Sequence, residues 1–179
     1  SMSLTMDGSE GALLRATGNL NVDIFGFVQV SGGFGIEKKS GAVTLADITS
    51  TTANESLTPV NVDMLLLGGS GLDAFVGAGD VGLALSDVNI GLAMLGEQLS
   101  EADVTAGKVA RKWTSVEAEV GSAGLVGIDS LTARVEELSV SINRAAVDTS
   151  VVDYSFKTGS TTVRKTDLTI LTGPSSDMA

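Results

Sequence analysis

Asp73, Asp80 and Asp87 recur at intervals of seven residues, and Asn89 follows the last of them. Carboxylate and amide oxygens presented from short connecting segments are the ligands that Ca²⁺ takes. These four residues are therefore the metal candidates; no cofactor is expected, and Ca²⁺ is the one they could take. Aspartates in turns also bond their own backbone, and that simpler role competes at each position. No stretch sets Asp or Asn at alternate positions and closes on Glu, so an EF-hand loop is absent. Glu117, Glu119, Glu136 and Glu137 are the carboxylates that acid–base hydrolysis would draw on. Yet Glu117 and Glu119 alternate with Val116, Ala118 and Val120, as the solvated side of a strand does. Histidine and cysteine are both missing, which removes the commonest general base, thiol nucleophiles and the usual zinc ligands. No Gly-x-Ser-x-Gly elbow and no Ser-x-x-Lys pair occurs. Gly32-Gly33-Phe34-Gly35 and Gly68-Gly69-Ser70-Gly71 lack the Gly-Lys-Ser/Thr ending and the helix that a phosphate cradle needs. Trp113, just after Lys108–Lys112, is the one ligand-binding candidate, as a platform for a sugar face; plugging the end of the core is its competing role. No residue emerges as catalytic, and the chain is expected not to be an enzyme.

Two-residue alternation dominates the elements that must carry these groups. Leu20, Val22 and Ile24, then Val28 and Val30, then Val81, Leu83 and Leu85, then Val88, Ile90 and Leu92, and finally Leu138, Val140 and Ile142 each predict a half-buried strand. The best helical segment is Gly96–Trp113, where Ser100 is placed to cap a short turn of helix; it reads as a long connection. Lys39-Ser40-Gly41, Gly68-Gly69-Ser70-Gly71, Ser86-Asp87, Gly121-Ser122-Ala123-Gly124, Glu136-Glu137 and Thr158-Gly159-Ser160 sit between apolar runs and read as turns. On that reading the chain is a series of strand–turn–strand units: Phe34–Ile48, Met64–Gly77, Val81–Leu95, Ser115–Ile128, Leu131–Asn143 and Val152–Lys165. Residues 67–72 parallel residues 120–125, which suggests two related halves joined by 96–112.

The expected fold is all-β. Its units stack as a β-solenoid or as long antiparallel sheets around a narrow aliphatic core, with a β-sandwich or barrel as the alternative. Residues 11–173 form one such domain, preceded at 1–10 by a tag scar and a disordered leader and followed at 174–179 by a disordered tail; Thr49–Thr58 is the clearest flexible loop. With 22 glycines, 2 prolines and only 4% aromatics, the core must be built from Val, Leu, Ile and Ala. The 43% of hydrophobic residues excludes a disordered chain. A net charge of −11 repels phosphate backbones, which argues against nucleic acid as a partner. No run is long and apolar enough to span a bilayer as a helix.

The phrases Gly71-Leu72-Asp73-Ala74-Phe75-Val76-Gly77, Val81-Gly82-Leu83-Ala84-Leu85-Ser86-Asp87-Val88-Asn89-Ile90 and Gly121-Ser122-Ala123-Gly124-Leu125-Val126-Gly127-Ile128 resemble units of giant, acidic, repetitive exported bacterial surface proteins, adhesin-like and haemolysin-type. The resemblance covers roughly Leu13 to Leu171 and rests on texture rather than fixed residues. It implies an extracellular or cell-surface location and a non-catalytic structural or adhesive module. The implied partners are neighbouring modules of the same chain or a cell-surface or extracellular ligand. A calcium- or carbohydrate-binding module of an extracellular enzyme, or an apolar-ligand carrier, is the alternative. The haemolysin calcium nonapeptide Gly-Gly-x-Gly-x-Asp occurs once, at Gly68–Asp73, without the tandem copies that define that family.

Overall fold

The computed structural model describes residues 4, 6–47, 59–158, 161–164, 166 and 168–173. Ser1-Met2-Ser3, the expected loop Thr49–Thr58, the expected turn residues Gly159 and Ser160 and the expected tail Pro174–Ala179 lie outside them. The chain is predominantly β. Its strands are β1 (Leu14–Ile24), β2 (Val28–Val43), β3 (Leu45–Asp47), β4 (Val60–Ala78), β5 (Val81–Glu97), β6 (Lys112–Val126), β7 (Arg134–Arg144), β8 (Ser150–Val152), β9 (Ser155–Thr158) and β10 (Thr161–Arg164). One antiparallel sheet of six strands, in the order β1-β2-β4-β5-β6-β7, makes up most of the molecule. It is open: β1 and β7 are its edges and do not pair with each other, so it is not a barrel. Every pairing within it is antiparallel, and the solenoid alternative finds no support in that pattern. The two-stranded pairs β3–β8 and β9–β10 are the other sheets among the described residues.

The hairpins turn at 25–27 and 79–80, places that are not among the turns expected from the sequence. Phe25 and Gly26 both take positive φ (52° and 71°) between β1 and β2, and Gly79 (φ 60°) opens the two-residue link from β4 to β5. Between β5 and β6, Ser100 caps the five-residue helix α1 (Glu101–Thr105); its side chain accepts from the Asp103 amide while the Asp103 carboxylate accepts from Ser100.

The expected internal turns are the main correction. Lys39-Ser40-Gly41 lies inside β2, Gly68–Gly71 inside β4, Ser86-Asp87 inside β5, Gly121–Gly124 inside β6 and Glu136-Glu137 inside β7. Met64–Gly77, Val81–Leu95, Ser115–Ile128 and Leu131–Asn143 thus fall on single strands of 11 to 19 residues, and Phe34–Ile48 runs along β2 into β3, whereas Val152–Lys165 does hold two strands, β9 and β10, paired antiparallel. Four of these sites form a crease across the sheet. Gly71 (φ 53°), Asp87 (φ 53°) and Glu137 (φ 54°) are left-handed, Gly121 stands between the last two, and the ladders skip or slip at this level. One extra residue in a strand exchanges its faces. The apolar alternation changes parity at the same points. In β4, Leu65 and Leu67 give way to Leu72 and Ala74. In β5, Leu83 and Leu85 give way to Val88 and Ile90. In β6, Val116, Ala118 and Val120 give way to Ala123 and Leu125, and in β7 Val135 gives way to Leu138 and Val140.

The crease therefore keeps the apolar side chains on one side of the sheet along its whole length. Rows such as Ala16–Ile36–Leu67–Leu92–Val116–Ile142 and Val22–Val30–Ala74–Leu85–Ala123–Val135 cross all six strands on this face, one below the crease and one above it. The opposite face carries the core at one end. Val43, Leu45, Val62, Met64, Leu66, Ala93, Leu95, Trp113 and Val152 are buried there, with Tyr154, Leu168 and Ile170 packed against them. Thr166 and residues 168–173 of the chain itself form a strap over the part of this face below the crease. They lie along a trough of glycines, Gly35, Gly68 and Gly91, which are neighbours across β2, β4 and β5. A Cβ on Gly35 or Gly68 would overlap the Leu171 carbonyl oxygen. Ser70 Oγ donates to the Thr172 carbonyl (3.0 Å), and the Thr44 amide donates to Thr166 Oγ1 (3.0 Å).

Candidate functional site

A half-open cleft of about 670 Å³ lies on the strap face between β5, β6, β7 and the strap. Alternation in β6 and β7 brings Ser115, Glu117, Ser141 and Asn143 to its floor, and Tyr154 and Ile170 close its side. Ser115 Oγ donates to Asn143 Oδ1 (3.2 Å), and Asn143 Nδ2 donates to the Val152 carbonyl (2.7 Å). The Tyr154 hydroxyl is buried and makes no hydrogen bond of good geometry. Burial raises its pKa above the ordinary phenol range, opposed in part by the Ser115 hydroxyl. Among the described residues Glu117 is the one carboxylate lining the cleft, so the cleft does not assemble the pair that glycoside hydrolysis uses.

A smaller recess of about 250 Å³ lies at the crease, lined by Asp87, Asn89, Glu119 and Glu137. It joins two groups the sequence reading kept apart: the metal candidates Asp87 and Asn89, and the carboxylates Glu119 and Glu137. Asp73 reaches the same level, where its Oδ1 accepts from the Asp87 amide (3.4 Å). Asn89 Oδ1 accepts from the Gly71 amide (3.1 Å). Both side chains thus bond backbone at the crease. Asp80 is elsewhere, in the β4–β5 hairpin turn. Among the described residues no three His, Cys, Asp or Glu side chains converge as a metal site would require. Glu136 pairs with Arg134 (2.9 Å) on the exposed edge strand.

Trp113 is 1% exposed and belongs to the core. Its indole N–H donates to the Ser150 carbonyl (3.1 Å), and the Arg111 guanidinium lies 5.2 Å from its ring centre. It presents no open face to a sugar. Arg111 is also the centre of a polar clamp that sequence reasoning missed. Its Nη2 and Nε donate to the two Glu97 oxygens (2.8 and 2.9 Å), and its Nη1 donates to Asp148 Oδ2 (2.9 Å). Lys108 Nζ adds a further cation contact to Glu97 (2.9 Å). The hydrogen bonds from Arg111 lead the effects that bring the Glu97 pKa down to about 2. On β2, Glu37 is 2% exposed and is held by Arg15 (2.8 Å) and Lys39 (3.0 Å). Burial pushes its pKa up, but the two cations together hold it below the ordinary range. Neither clamp opens onto the cleft, and both act as fasteners.

Among the described residues, nothing covers the face away from the strap. Val76, Leu83, Ile90, Leu125, Val140 and Ile142 on it are all more than a third exposed. No protein family, curated protein or solved structure matches the chain.

Proposed function

We propose that this chain is a non-catalytic structural module that joins neighbouring modules through the edges of its sheet. The observation that carries this reading is the pair of long edges that no other described strand pairs: β1 and β7 are 11 residues each, and every residue of β7 is exposed. An unpaired edge offers a row of backbone donors and acceptors to another strand. The resemblance to repetitive exported surface proteins supports the same reading and an extracellular location. Modules coupled in this way gain stability from each junction. Two copies joined end to end should therefore melt at a higher temperature than one copy. The β7 amides of the first copy should also exchange more slowly with deuterium. Equal melting temperatures and unprotected β7 amides in the pair would overturn the reading.

A second reading, calcium binding, uses Asp87, Asn89, Glu119 and Glu137, which line one recess but whose carboxylates must draw together to share an ion. Ligand that binds only the folded state raises the melting temperature. A rise with Ca²⁺ that Glu119→Gln removes supports this reading, and no rise at millimolar Ca²⁺ rejects it.

A further inference from the structure

The strap covers the part of one face that lies below the crease, and no described residue covers the other face. We propose that the open face is a self-association surface, which a second copy of this chain covers by packing its own open face against it. This goes beyond the module reading and does not depend on it, because it uses the face of the sheet and not its edges.

Three observations select a second copy as the occupant. The first is area. Six strands at about 4.8 Å, each at least about 37 Å long, give on the order of 1,000 Å² per copy, above the roughly 800 Å² per partner of a stable complex. The second is chemistry. The rows on this face are aliphatic on both sides of the crease, and facing aliphatic rows are how two sheets pack into a sandwich about 10 Å apart. The third is charge. The chain carries −11, yet Glu37, Glu97, Glu117, Glu119, Asp23 and Asp73 fall on the strap-face rows. Charges on the open face gather at one end, where Lys38, Asp63, Lys112 and Arg144 form a polar rim. Two copies can meet face to face with their acidic sides turned away from each other, and an apolar centre with a polar rim is the usual anatomy of an interface.

Sedimentation equilibrium of the full chain tests this. The expected result is a dimer at micromolar concentration. Leu83→Glu and Val140→Glu, on two different strands of the open face, should each weaken it by at least about 30-fold. Ser139→Glu, on the other side of β7, should leave it unchanged. Far-UV circular dichroism checks that each variant keeps its β spectrum. Should a glutamate variant fail to fold, Ile90→Cys supplies the only thiol of the chain. A bifunctional maleimide should then link two copies through it, and should not do so through Ser139→Cys. A wild-type chain that stays monomeric up to about 0.1 mM overturns the proposal. So does a dimer that survives both glutamate variants, or one that protects the β7 amides from exchange instead of depending on the open face. Binding of lipid vesicles by a monomer counts against it as well.

Discussion

Glu97 shows how a charged side chain can fasten this molecule. Its side chain is 4% exposed and meets Arg111 through both oxygens. Its pKa falls from 4.5 to about 2 in the folded chain. A carboxylate with a depressed folded pKa contributes stability that is fully present above its unfolded pKa and is lost as pH falls through the folded one. Stability should therefore fall between about pH 4.5 and about pH 2, by on the order of 2–3 kcal/mol from this group. Glu97→Gln should flatten that part of the profile, measured as melting temperature against pH. Glu37 and Asp148 are shifted in the same direction, so some acid sensitivity remains in the variant. The sequence showed Glu97 and Arg111 only as charges at the two ends of a connection. Their pairing needs that connection to fold back over Trp113.

At the scale of elements, glycine has two different uses. Gly71 supplies the left-handed backbone of the crease, whereas Gly35 and Gly68 are extended and matter because they lack a side chain. The strap passes so close to them that a Cβ would meet the Leu171 carbonyl. Gly68→Val should displace residues 168–173 and expose the core they cover. Faster proteolysis within the strap and a lower melting temperature would be the measured signs; an unchanged digestion pattern would mean the trough is not what seats it. In the sequence, Gly68–Gly71 read as one turn. Glycine, serine and aspartate suit a turn and a bulge equally well by local preference. The parity change beside each cluster was visible, and it distinguishes a bulge from a turn only once the partner strand is known.

At the scale of the whole molecule, protection should follow position in the sheet. β4 and β5 are paired on both sides along most of their length, while β1 and β7 are paired on one. Amide exchange in the isolated chain should be slowest in β4 and β5 and fastest in the outward-facing amides of β1 and β7. A uniform exchange rate across the six strands would contradict the open single sheet.

The sequence by itself determined the all-β class and the approximate place of each extended segment, because period-two burial is a local property of the chain. It also determined that His- and Cys-based chemistry is absent. Only the tertiary structure decided which interruptions bend a strand and which end it, that Asp87 and Glu119 share a recess while Asp80 does not, and which of the two faces the strap covers. Each of these depends on which strands become neighbours, and residues far apart in the chain set that together.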